Sequence, residues 1–135
     1  MIVFHGTDTA CANSIINKID VTKGGGELGR GFYAGESIGL AASFAQGRFP
    51  GNHKVVKLEI DESTFVNLRI KTIKRIEFVY RTWQSLLRRK KASSYLFNVD
   101  VVQSPFATLE FSYQYKFESA QAETVLNNKS VKTIL

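Results

Sequence analysis

The sequence predicts a single α+β domain, and three observations lead there. Runs of strand character (Met1–His5, Lys54–Asp61, Thr108–Glu118) are interleaved with segments whose apolar residues recur every three or four positions. The 135 residues suit one domain and contain no internal repeat or low-complexity linker. Apolar residues make up 44% and charged residues 22%, which is enough to build one core without disulfides or a metal.

Taken in order, Met1–His5 (MIVFH) reads as a short buried strand. Thr7 or Asp8 can cap the helix that follows, because a short oxygen-bearing side chain satisfies a free first-turn N–H. In that helix Cys11, Ile15, Ile16 and Ile19 fall on one face. Lys23–Gly31 (KGGGELGRG) has five glycines in nine residues, too permissive for a regular element, and is expected as a loop. Phe32–Ala34 reads as a strand and Glu36–Gln46 as a helix, with Ile38, Ala41, Ala42 and Ala45 giving a slim apolar face that can approach a sheet closely. A turn at Phe49–His53 leads into the strand Lys54–Asp61, which Thr64–Ile70 is expected to continue after a bend. Ile73–Lys91 is the longest helical candidate, apolar at Ile73, Ile76, Val79, Tyr80, Trp83, Leu86 and Leu87 and basic on its other face. Phe97–Val102 is expected as a strand broken near Pro105. Thr108–Glu118 alternates as one or two strands, and Ser119–Asn127 closes as a short helix.

Composition narrows function without choosing it. The one cysteine, Cys11, excludes an internal disulfide and a cysteine-rich zinc site, and reads as a small core residue. With only His5 and His53, a histidine-rich metal site is not expected. No apolar run approaches the roughly 20 residues of a membrane span. No basic segment followed by an apolar one opens the chain, so the expected setting is cytoplasmic, or delivery as an effector. A net charge of +6 favours an anionic partner: a dinucleotide, a nucleic acid or an acidic protein.

Three separated segments carry the functional reading: Phe4-His5-Gly6-Thr7; Gly29-Arg30-Gly31-Phe32-Tyr33 with Ala41-Ala42-Ser43-Phe44 on the next helix; and Gln114-Tyr115-Lys116-Phe117 before the last helix. This order resembles the diphtheria-toxin and poly(ADP-ribose)-polymerase class of ADP-ribosyltransferases, named for a His-Tyr-Glu triad. Asn98–Ala107 (NVDVVQSPFA) is similar to an uncharacterised bacterial branch of that fold that also carries Gln at the third position. The match covers Met1 to about Val66 and Phe97–Leu126.

The resemblance implies an ADP-ribosyltransferase-like fold, with two small antiparallel sheets split around an NAD⁺ cleft and helices outside. It implies that His5 bonds the adenosine-side ribose, that Gly6 offers its peptide N–H and C=O to the nicotinamide carboxamide, and that Thr7 adds a hydroxyl near the ribose. Tyr33 and Phe44 would sandwich the nicotinamide, each stack contributing roughly 0.5–1.5 kcal/mol beyond burial. Arg30 would reach a phosphate, with Gly31 and Phe32 bordering the cleft. Gln114 stands where the family has its catalytic carboxylate. An amide can bond the ribose but supplies no charge and no base. Glu110, on the same strand face, is the expected substitute, with Glu118 the second choice.

The implied activity is mono-ADP-ribosylation: NAD⁺ is the substrate, its nicotinamide–ribose bond is cleaved, and ADP-ribose passes to a macromolecular acceptor. Domains of this kind are often bacterial toxins or effectors, which implies an antitoxin or immunity protein. Without the resemblance, His5 reads as a turn or core histidine, Tyr33 and Phe44 as core aromatics, and Arg30 and His53 as solvated side chains. Two rival functions stay open: a non-catalytic NAD⁺ or ADP-ribose-binding module, favoured by Gln114, and a nucleic-acid-binding protein, favoured by the charge and the Arg81–Lys91 helix face. Plain NAD⁺ hydrolysis is a variant of the leading reading.

Overall fold

The computed structural model describes residues 1–74, 94–106 and 112–135. Its strands are β1 (Ile2–Asp8), β2 (Gly25–Gly26), β3 (Gly29–Arg30), β4 (Phe32–Gly35), β5 (His53–Ile60), β6 (Ile70–Thr72), β7 (Val101–Pro105), β8 (Tyr113–Phe117) and β9 (Ser130–Ile134). Its helices are α1 (Thr9–Asn17), α2 (Ile38–Arg48), α3 (Glu62–Phe65) and α4 (Ala120–Asn128). Among the described residues, seven strands form one sheet in the order β6-β7-β8-β4-β1-β5-β9, and β2 and β3 form a separate hairpin. The β6–β7 pair is parallel and the other pairs are antiparallel. The molecule is thus a mixed α+β fold with a large, mostly antiparallel sheet.

The expectation of two separate sheets is corrected in one respect. The halves β6-β7-β8-β4 and β1-β5-β9 are joined, but only through the pair Phe4↔Gly35. Elsewhere the ladders are long: β1 pairs with β5 from Ile2↔Glu59 to Asp8↔His53. The sheet therefore carries a seam between β1 and β4.

One face of the sheet holds the main core. Val3, Val56, Leu58, Val101 and Phe117 from the strands meet Ala12 of α1, Phe65 of α3, and Ala122, Val125 and Leu126 of α4. Each such Val, Leu or Phe contributes about 1.5–3 kcal/mol by leaving water. On the other face α2 lies over β1. A Cβ on Gly6 would stand 2.1 Å from the Ala41 carbonyl oxygen, so only glycine admits the helix at this height. That face also carries a second apolar cluster of Leu28, Ile73 and Val102, with Tyr33, Tyr95 and Phe97 against it.

Local chemistry sets the element ends. Asp8 caps α1 by accepting from the Cys11 amide at 2.7 Å. Ser37 caps α2 and Ser119 caps α4 in the same way. Cys11 is exposed, contrary to expectation, because Ala12 and Ile15 turn inward with Ile19 beyond the helix end. The segment expected to continue β5 instead forms α3, since the Asp61 carboxylate accepts from the Thr64 amide and starts a turn. Residues 97–100 are irregular where a strand was expected, with Asn98 at φ 60°, and β7 begins at Val101. β9 was not anticipated. Ile73 and Lys74 follow β6 without helical structure; the rest of the expected helix, with its basic face, lies outside the described residues.

Candidate functional site

The seam has a specific cause. His5 inserts its imidazole between β1 and β4, and Nδ1 donates to the Tyr33 carbonyl at 2.5 Å. The ring stacks on Phe32, with centroids 4.6 Å apart and planes at 26°. Continuing the Phe4↔Gly35 register by two residues would pair Gly6 with Tyr33. The imidazole takes the carbonyl that Gly6 would have used, and the ladder stops.

Gly6 is consequently paired on one side only. Leu135 donates to the Val55 carbonyl at 2.9 Å, so Val55 turns its peptide groups toward β9. The opposed residues Gly6 and Val55 therefore exchange no hydrogen bond, and Gly6 directs its N–H and C=O toward β4, where the ladder has ended. One donor and one acceptor face β4 beyond the single bridge of that ladder. The bond from Nδ1 fixes the neutral tautomer of His5 with its proton on that nitrogen, so Nε2 carries a lone pair. Burial pushes the His5 pKa below its ordinary 6.5, outweighing the opposite pull of the Tyr33 carbonyl.

Strand alternation sorts the other expected residues. Gly6, Tyr33 and Gln114 share the α2 face, since Gly35 pairs with Gln114 and Tyr33 with Lys116. His5, Phe32 and Thr7 turn to the main-core side. Tyr33 and His5 thus meet through a backbone carbonyl, with their rings on opposite faces. The Tyr33 hydroxyl is committed elsewhere: it donates to the Gly29 carbonyl at 2.5 Å and accepts from the Leu28 amide at 2.9 Å. Burial raises its pKa far above 10.0. One face of its ring lies against Gly26, where a Cβ would come within 2.8 Å of Cζ.

Gln114 is 3% exposed and donates through Nε2 to the Pro105 carbonyl at 3.4 Å. Phe106 lies over neighbouring Gly35, its Cζ 3.4 Å from where a Cβ would stand. Phe44 projects from α2, 56% exposed, under the Arg48 guanidinium at 5.7 Å. The Nε of Arg30 is buried with no hydrogen-bond partner.

Several expectations are corrected. Phe32 is 7% exposed within the main core and supports His5 rather than bordering a cleft. Thr7 is 6% exposed on the core side, so its hydroxyl points away from Gly6 and Tyr33. Gly31 is required by the chain itself: a Cβ there would sit 2.6 Å from the Lys116 Cγ. Glu118 cannot stand in for the missing carboxylate. Its carboxylate pairs with Lys116 at 2.7 Å and accepts from the amides of Phe97 and Asn98 at 3.1 and 2.9 Å. Glu110 lies outside the described residues.

No family model matches the chain, and no curated protein does. Among the described residues no three His, Cys, Asp or Glu side chains gather at one point, and no helix is long and apolar enough to cross a membrane.

Sequence reasoning missed Lys116, which is fully buried beside Tyr33. It sits on the polar side of an alternating strand, a pattern that reads as solvated unless both faces of the sheet are covered.

Proposed function

We propose that the seam between β1 and β4 binds the nicotinamide end of NAD⁺, and that the chain is an ADP-ribosyltransferase passing ADP-ribose to a macromolecule. The observation that carries this is the interrupted ladder at Gly6. A primary carboxamide is a donor beside an acceptor, the complement of one unpaired strand residue. It would accept from the Gly6 N–H and donate to the Gly6 C=O. The Tyr33 ring, opposite Gly6 in the extended register, would flank the pyridinium, and Phe44 would approach from α2. His5, whose ring lies on the core face, would contribute by holding the ladder open beside Gly6. Arg30, with its orphan Nε, would take a phosphate oxygen.

Cleaving the nicotinamide–ribose bond develops positive charge on the ribose. The protein's contribution here is orientation by Gly6 and Tyr33 together with a hydrogen bond from Gln114. An amide in that place gives up the electrostatic share, on the order of 3 kcal/mol or about a hundredfold in rate.

The test is nicotinamide release from NAD⁺ by the wild type and by Gln114→Glu, alongside calorimetric titration with NAD⁺. The expected result is binding by both proteins and faster release by the variant, by about tenfold or more. Absence of heat on titrating the wild type overturns the reading.

A second reading is favoured by the same residue. Gln114 is buried as a neutral amide bonded to the Pro105 carbonyl, and a site without a carboxylate suits a module that holds NAD⁺ or ADP-ribose without cleaving it. Binding without release by either protein selects that alternative. If the transferase reading holds, the site takes its place in a toxin or effector with a cognate antitoxin or immunity protein.

A further inference from the structure

Tyr33 is held by a circuit of hydrogen bonds that runs through the interior. Its hydroxyl bridges the Leu28 amide and the Gly29 carbonyl on the β2–β3 hairpin. The Leu28 carbonyl accepts in turn from Lys116 Nζ at 2.8 Å. Lys116 is fully buried and stands opposite Tyr33 in the β4–β8 register. Its ammonium also meets Glu118 at 2.7 Å and the Tyr95 carbonyl at 3.4 Å, and lies 4.8 Å from the centre of the Phe97 ring. Three acceptors thus satisfy its three donors. On the ring side, a Cβ on Gly26 would come within 2.8 Å of the Tyr33 Cζ, so the hairpin backbone rests directly on the phenol.

A buried ion pair is weak evidence for stability, since apolar residues of similar volume commonly serve as well or better. What Lys116 supplies that a methionine would not is a fixed direction: it pins the Leu28–Gly29 peptide of the hairpin, and the two peptides flanking that one hold the phenol. We propose that Lys116, backed by Glu118, is the positioning residue for Tyr33, setting the ring through the hairpin backbone at Leu28 and Gly29. Its purpose rests on the NAD⁺ reading above, whereas the positioning itself can be measured without any ligand.

The ligand-free arm is limited trypsin digestion of the intact chain. Lys23 and Arg30 bracket the hairpin; the Lys23 side chain is 82% exposed, while Arg30 is partly buried in β3. Tyr33→Phe keeps the ring and removes the tether. It is expected to raise cleavage after Arg30 about tenfold, the net effect of losing the hydroxyl's two hydrogen bonds from the closed state. Lys116→Met combined with Glu118→Gln, which leaves no carboxylate buried unpaired, is expected to raise it similarly. All three changes together should add no more than about twofold, because they break one circuit. Unchanged cleavage in Tyr33→Phe, or effects that multiply, overturns the proposal. Should the Lys116 variant fail to fold, Tyr33→Phe decides alone.

The second arm is the affinity for NAD⁺. Tyr33→Phe and the Lys116 variant should raise Kd by the same factor, and their combination by no more than either. Independent structural damage would multiply instead, and that outcome counts against positioning. If the digestion behaves as expected but the wild type gives no heat with NAD⁺, positioning stands and the NAD⁺ reading falls.

Discussion

Two glycines on neighbouring strands show how differently one residue type can be required. Gly6 faces the Ala41 carbonyl, and a methyl group there would overlap it at 2.1 Å. Backbone on a helix cannot rotate aside as a side chain can, so α2 would have to move. Overpacking of this kind costs about 1–3 kcal/mol, and a backbone obstacle places Gly6→Ala at about 3 kcal/mol. Gly35 lies across the seam from Phe4, yet its nearest neighbour, the Phe106 ring, would stand 3.4 Å from a Cβ, within ordinary contact. Gly35→Ala should therefore stay within about 1 kcal/mol of the wild type. Urea midpoints of the two variants check the pair. Equal losses would mean that the helix is not seated on Gly6.

Between elements, the decisive contacts are polar and long in sequence. Asn127 near the end of α4 accepts from the Ile19 amide at 2.8 Å and donates to the Ile19 carbonyl at 2.9 Å, tying α4 to the chain leaving α1. Its oxygen also accepts from Lys132 on β9 at 2.8 Å. Asn127→Ala leaves an amide, a carbonyl and an ammonium short of partners, for a loss of about 2–3 kcal/mol in thermal or urea unfolding. A loss below about 0.5 kcal/mol would show that water replaces the amide. Such contacts explain what was legible beforehand. The cap at Asp8, the small-residue face of α2 and the strands around His5, Tyr33 and Gln114 are local patterns, and they are where the sequence places them. β9, its inward-turned Lys132 and the burial of Lys116 depend on partners about 70 to 120 residues away, such as β5, Leu28 and Ile15. No window of neighbours shows them. The site divides along the same line. Gly6 and Gly31 were both expected to border the ligand, yet their missing side chains make room for Ala41 and Lys116. The opening at Gly6 comes from its peptide groups, which only the register reveals.

At the scale of the molecule, the sheet is two well-paired halves meeting at one residue pair with an imidazole in the gap. His5 is in consequence a titratable group placed where the halves join. Burial holds its pKa below 6.5, so the unfolded chain binds a proton more readily than the folded one between the folded value and 6.5. Stability therefore rises with pH across that window and is flat above it; in the other direction, it is lost as pH falls from 6.5 toward the folded pKa. Carboxylates act lower. Burial pushes Asp100 up, but hydrogen bonds from Ser119 and Arg69 more than offset this and hold it below its ordinary 3.8, so its contribution is lost only as pH falls below that value. His5→Asn keeps a neutral donor for the Tyr33 carbonyl and removes the titration. Urea midpoints measured from about pH 5 to about pH 7.5 should climb in the wild type and flatten in the variant. The slope belongs to the seam if hydrogen exchange at the acid end quickens first in β1 and β4, the strands that the imidazole bridges. Parallel slopes in the two proteins would place the acid sensitivity elsewhere and leave the imidazole as a neutral wedge only.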